Sequence, residues 1–329
     1  MTTTEMRPIN ENALSDTDHD IVLDGGLRVA TTRRVGRLNA ASLRKVIEPD
    51  TDVVGALGSG QVFATELSVT ADLDLELTDE QKVRLSREEI ASVTVAGIRF
   101  EAILMSGFAE QVAHSSAIGD PRIVYMLHEI GEETRHSRLF LRLVEQLAPT
   151  AKSPADHGVA NFLFRHVTRA LIHRPATLCA LVLAGEEIPD LLQKKLVEHP
   201  DTDPFLKSVN RYHRQEEARH LAYARMVLPE LWEEASWVDR VTVRHLLPFI
   251  IRTMFDWMVH PGVFETVGLP AMTTWRAVTK SRHQRDMRHQ AIRPVLAALV
   301  TSGVIPTGRV ARAWRRLCGV DRFGQPVGS

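Results

Sequence analysis

Cysteine is scarce: the 329 residues include two, Cys179 and Cys318. Two isolated thiols exclude a disulfide framework and a thiolate zinc site, and they fit a reducing cytoplasm. Charge of one sign is lacking too. Forty basic residues stand against 41 acidic ones, for a formal net charge of −1, which speaks against a nucleic-acid binder. No apolar run is long enough to span a bilayer. The longest, Leu246 to Val259, is interrupted by Arg252 and Asp256 and falls short of the roughly 20 residues required, so no membrane association is expected. The first 20 residues are polar and mixed in charge, which rules out a signal peptide and reads as a disordered tail. The glycines from Gly55 to Gly60 are not followed by the helix that a flavin or nicotinamide fingerprint demands.

What is present is helical periodicity. Residues 21–76 read as irregular, with a short basic helix over Ala40 to Val46 and either a short strand or an extended arm over Val62 to Val69. Thr78 followed by Gln81 is a capping-box pattern that opens a helix near Asp79, and the helical pattern runs through Ser92 to about His114, with a break along it left open. Asp120-Pro121 and Asp203-Pro204 are N-cap and first-position pairs that start helices to about Leu147 and Leu228, and Pro175 starts one to about Val197. Further helices are expected over Val159 to Ile172, Trp237 to Val259, Met272 to Leu299 and Thr307 to Leu317. With no linker visible, the expectation for 21–329 is one all-α domain, an antiparallel four-helix bundle with peripheral helices.

The chemistry lies in two Glu-x-x-His motifs, Glu133-Thr-Arg-His136 and Glu217-Ala-Arg-His220. Residues at i and i+3 sit about 60° apart on a helix, so each pair can reach one metal ion. One such motif is expected by chance; the pair gains meaning from its flanks. Glu101, in an apolar stretch, precedes Glu133 by 32 residues, and Glu186 precedes Glu217 by 31. Matching offsets are what an approximate two-fold axis through a two-metal carboxylate centre requires. Glu110 competes with Glu101, but in more polar surroundings, and Glu187 competes with Glu186. His213 lies four residues before Glu217, on the same face. The candidate donors are therefore Glu101, Glu133, His136, Glu186, His213, Glu217 and His220. Imidazole and carboxylate without thiolate suit iron or manganese, and four carboxylates balance two divalent ions. Glu132, Arg135 and Glu216 are expected to face solvent, as most charged residues on long helices do.

This set resembles the di-iron N-oxygenases typified by p-aminobenzoate N-oxygenase, with the likeness covering about Leu77 to Pro229. The resemblance implies a ferritin-like bundle and seven protein ligands, with His213 as the extra histidine. It further implies two iron ions, dioxygen as co-substrate and oxidation of an amine towards hydroxylamine, nitroso or nitro. A substrate carboxylate would need a cation, and Arg288 and Arg293 on the late basic segment are the candidates. The alternatives keep the metals but oxidise carbon, as a hydroxylase or desaturase, or reduce the role to a ferritin-like iron-binding protein. Electrons are expected from an external reductase or ferredoxin-like carrier, and a homodimer is left open.

Overall fold

The computed structural model describes residues 26–42, 47–156 and 158–327. The tail expected over 1–20 lies outside the described residues, as does the segment 43–46 of the expected basic helix.

Four long helices form the bundle: α3 (Asp79–His114), α4 (Pro121–Leu147), α6 (Pro175–Glu198) and α7 (Pro204–Glu233). Helix α3 pairs with α4 and α6 with α7, as two hairpins. Their starts follow the caps read from sequence. Thr78 Oγ1 accepts from Gln81 N at 3.3 Å, and Gln81 Oε1 accepts in return from Thr78 N at 2.9 Å. Asp203 Oδ1 accepts from Phe205 N and Leu206 N at 2.8 and 3.1 Å, ahead of Pro204 at the first turn. Helix α3 runs unbroken from Asp79 to His114. It is long and apolar enough by composition to cross a bilayer, yet here it is the bundle helix that buries Glu88, Glu89 and Glu101.

The hairpins approach closely at one glycine. A Cβ on Gly185 of α6 would stand 1.7 Å from the Phe100 ring of α3. Only a bare backbone admits that ring. Phe100 and Gly185 directly precede Glu101 and Glu186, so this close fit sets the spacing of two candidate donors.

The periphery departs from expectation in several places. Helix α1 (Gly26–Ser42) occupies a stretch read as irregular and lies against α4 and α7. Its buried face is Thr31, Val35 and Asn39, two of them polar, so hydrophobic periodicity could not reveal it. A four-residue turn, α2 (Pro49–Asp52), follows. Residues 62–69 form no strand: Val62 and Phe63 anchor an extended arm in a core with Leu139, Leu143 and Phe205, and Thr65–Leu67 is a 3₁₀ turn. Helix α5 (Gly158–Ile172) contacts α3 and α6.

The helix expected over Trp237–Val259 is α8 (Trp237–Val241), a π-helical turn (Thr242–Leu246) and α9 (Leu247–Trp257). Leu247 N bonds Thr242 O, which leaves Val243 O without its helical donor, and Trp314 Nε1 fills that role at 3.1 Å. After a short α10 (Gly262–Glu265), the expected helix over 272–299 divides at Ser281 into α11 (Ala271–Lys280) and α12 (Arg282–Thr301). Ser281 Oγ accepts from Gln284 N at 3.0 Å and restarts the chain as an N-cap. The final helix, α13 (Arg312–Cys318), begins five residues later than expected, after Gly308 at φ +75°. Helix α12 packs on α6, against the bundle.

Candidate metal centre

Each bundle helix contributes to one buried cluster: Glu101 from α3, Glu133 and His136 from α4, Glu186 from α6, and His213, Glu217 and His220 from α7. All seven are buried, with Glu133, His136 and His220 at 0% exposure. The competitors fall elsewhere. Glu110 pairs with His173 at the surface, and Glu187 pairs with Arg225.

Glu217 and Glu133 sit centrally. Glu217 Oε1 lies 3.1 Å from His136 Nδ1 and 3.2 Å from His213 Nε2, and its Oε2 lies 2.8 Å from His220 Nδ1. Glu133 Oε1 lies 3.2 Å from His220 Nδ1, and its Oε2 lies 3.4 Å from His136 Nδ1. His213 Nε2 also faces Glu101 Oε1 at 3.5 Å, while Ser137 Oγ donates to Glu101 Oε2 at 2.5 Å. Glu217 and Glu133 thus each touch imidazoles from both Glu-x-x-His helices, the placement that carboxylates shared between two metal ions would need.

The outward nitrogens are held by neighbours. His213 Nδ1 faces Gln193 Oε1 at 3.1 Å, and His220 Nε2 faces Glu132 Oε2 at 2.8 Å. With a cation at the inner nitrogen, each outer nitrogen carries the proton and donates it. This fixes tautomer and ring direction. Glu132 is fixed in turn by Arg219, which donates to its Oε1 at 2.8 Å and to Glu216 Oε2 at 2.5 Å. Arg135 lies 3.9 Å from Glu132 and 4.0 Å from Glu216. The expectation that Glu132, Arg135 and Glu216 face solvent is therefore wrong. Glu132 and Glu216 are buried and Arg135 is largely so. The signal was available: both motifs read Glu-Glu-x-Arg-His, and the doubled Glu and the Arg are what hold the two motif helices together.

Sequence reasoning also passed over Glu129, one turn before Glu133 and 1% exposed. It can share a metal position with Glu133 and His220, and neither of its oxygens has a hydrogen-bond partner among the described residues. Burial, with the nearby charges of Glu133 and Glu217, pushes its carboxyl up to about 8. In the metal-free cluster this favours its protonated form at neutral pH.

The remaining electrostatics point the same way. Burial, then the charges of Glu217 and Glu133, drive Glu186 well above the usual carboxylate range. Burial opposes ionisation of Glu217, but His220 and His213 hold it well below that range. Burial disfavours a charged His136, yet its bonds to Glu133 and Glu217 push it up to about 10. Imidazoles thus take up protons to offset closely packed carboxylates. Two divalent cations would offset the same charge and leave every imidazole free as a ligand. Among the described residues, Glu101 Oε1, Glu133 Oε1, Glu186 Oε1 and Glu217 Oε1 are buried with no donor in hydrogen-bonding geometry. Their donor chemistry fits a two-metal carboxylate centre.

The profile of the family described as P-aminobenzoate N-oxygenase AurF matches residues 71–303. The chain belongs to that family. The match begins before α3 and ends after α12, so it takes in the whole bundle and the first C-terminal helices. Uncharacterized proteins of Mycobacterium bovis and Mycobacterium tuberculosis are 27% identical over 183 residues, covering 55% of this chain. The chain spans about half of the length of these relatives, 53%.

The expected substrate cations are not gathered at this cluster. Arg288 is buried and paired with Asp256 at 3.2 Å, so its charge is already met. Arg293 donates to Cys318 O at 3.0 Å and Gly319 O at 3.5 Å, bracing the end of α13. Both are tied into the packing of the C-terminal helices.

Proposed function

We propose that the protein is a di-iron monooxygenase that oxidises an aromatic amine at nitrogen. The observation that carries this reading is the convergence of both Glu-x-x-His helices, with Glu101, Glu186 and His213, on one buried cluster inside a chain of this family. Glu101, Glu133, His136, Glu186, His213, Glu217 and His220 would hold two iron ions, which when bound supply the activation of dioxygen. The chain's own work is positioning and exclusion. Gln193 and Glu132 orient His213 and His220. Phe140, whose ring centre lies 4.9 Å from that of His213, would keep water from that imidazole. Electrons would come from a separate reductase or ferredoxin-like carrier, in the cytoplasm.

The test loads the full chain with ferrous iron anaerobically, counts the metal, and supplies labelled dioxygen, reductant and a panel of aromatic and aliphatic amines. About two irons per chain and label on nitrogen are expected. Two irons with label on carbon alone would replace nitrogen oxidation by hydroxylation. Failure to retain iron would refute the site itself.

A further inference from the structure

The C-terminal helices build a second concave site. Between α12 and α13 lies a groove of about 1020 Å³. Six arginines line it: Arg282, Arg285 and Arg293 from α12, and Arg312, Arg315 and Arg316 from α13. One carboxylate, Asp286, answers them, and it is shared by Arg282 and Arg285 at 3.5 and 3.8 Å. Among the described residues, Arg312, Arg315 and Arg316 meet no carboxylate, and Arg315 Nε is buried without a hydrogen-bond partner. A chain of net charge −1 thus gathers a strong positive excess on one face.

The groove is built rather than incidental. Arg293 pins the carbonyls of Cys318 and Gly319, which fixes the end of α13 against α12. Gly319 has φ +62°, and a Cβ there would stand 2.4 Å from His289 Nδ1. Glycine alone permits this junction. Burial and the charges of Arg288 and Arg293 hold the His289 imidazole below its usual range, in keeping with a positive field at the wall.

We propose that this groove binds a small ligand bearing two or more phosphate groups, of the nucleoside diphosphate kind. Its phosphates would meet Arg312, Arg315 and Arg316, and its organic part would lie on Val320 and Val327, which also line the groove. The lining holds arginine and no lysine. A guanidinium offers two parallel donors that match phosphate oxygens, where an ammonium offers a point charge. A monocarboxylate would leave most of the excess charge unmet. The concave shape, near the upper end of the roughly 300–1,000 Å³ usual for ligand pockets, favours a small molecule over a protein face. Nothing in this proposal depends on the metal centre.

The full chain is titrated calorimetrically with ADP, pyrophosphate, orthophosphate and sulfate at fixed ionic strength. Saturable binding of one ADP or pyrophosphate per chain is expected, at least about tenfold tighter than orthophosphate or sulfate. ADP exceeding pyrophosphate supports a seat for the organic part; equality assigns recognition to the phosphates alone. Arg312→Glu with Arg316→Glu, both at exposed positions, should weaken pyrophosphate at least about 100-fold while leaving thermal unfolding and iron content unchanged. Arg315→Lys keeps the charge and should still lose about tenfold. The proposal is overturned by no saturable binding, by equal affinity for sulfate, or by full affinity in the charge-reversed variant. A groove that ignores pyrophosphate but captures an acidic electron carrier would overturn it in favour of a protein interface.

Discussion

Replacing Glu132 by Gln tests whether residues beyond the donors govern metal affinity. Glu132 Oε2 accepts from His220 Nε2 at 2.8 Å, and its other oxygen is held by Arg219 at 2.8 Å. The amide is nearly isosteric, so packing is conserved; what disappears is the negative charge opposite the outer proton of His220. A ligand-orienting carboxylate of this kind is worth about 10–100-fold in metal affinity, which corresponds to roughly 1.4–2.7 kcal/mol. Arg135 of α4 still lies 4.0 Å from Glu216 of α7, so a charge contact between the two helices remains. Anaerobic competition for ferrous iron against a chelator reads the affinity, and unfolding of the metal-free protein reads the fold. The expected result is a loss of about tenfold or more with little change in metal-free unfolding. Glu216→Gln serves as the comparison, since its contacts run to Arg219 and Arg135 and should cost only a few-fold. Affinity within about twofold of the parent for Glu132→Gln would refute the orienting role.

Three further outcomes are expected. Metal binding should release protons, since His136, at about 10, and His220, driven well above its usual range, must both give up a proton to serve as ligands; calorimetry in buffers of different ionisation enthalpy at pH 7 should show about two or more per chain, and none would contradict the charge reading. Glu89 is buried, and burial outweighs its bonds from Ser68 and Val69 to push it up from 4.5 to about 7; the folded state binds more protons than the unfolded between those values, so its contribution falls as pH rises from 4.5 and levels off above 7, by at most about 3 kcal/mol, and denaturant titrations should show that decline disappearing in Glu89→Gln. Gly185→Ala places a methyl against the Phe100 ring and should destabilise the protein by about 1–3 kcal/mol or more while disturbing iron loading through Glu186; a neutral change in both would mean that the two hairpins are not held at this spacing.

The bundle was legible because its helices announce themselves. Thr78, Asp120 and Asp203 cap their helices as the sequence implied, and the long apolar faces leave little choice of partner. The convergence of the seven candidate side chains was legible because two motifs and two lone glutamates repeat at nearly equal offsets, and chance seldom repeats a spacing. Helix α1 was hidden because Thr31 and Asn39 carry its buried face; Asn39 Nδ2 donates to Pro121 O at 2.9 Å, a contact that no hydrophobic pattern records. The π-helical turn before α9 was hidden because it depends on a distant partner, Trp314 on Val243, whereas the break at Ser281 carried a local signal, its own cap onto Gln284, that hydrophobic periodicity does not read.

Glu129, Glu132 and Glu216 escaped for a different reason. Charged helical residues usually face water, and that rule fails where a helix packs on another charged helix around a metal-binding core. Glu132 and Glu216 can stay buried because Arg219 spans both and Arg135 lies close to each. Two buried carboxylates are tolerable there only in a closed network with the two half-buried arginines, since removing one member strands the rest. The same logic explains the doubled Glu-Glu-x-Arg-His sequence. The inner Glu and His of each copy meet at the centre, while the outer Glu and the Arg face the opposite motif helix. Glu132 shows the link most clearly, reaching from α4 to His220 and Arg219 on α7. A motif on one helix is therefore incomplete without its copy on the other. Repetition of the full five-residue pattern, rather than of Glu-x-x-His alone, is the sequence feature that carries the centre.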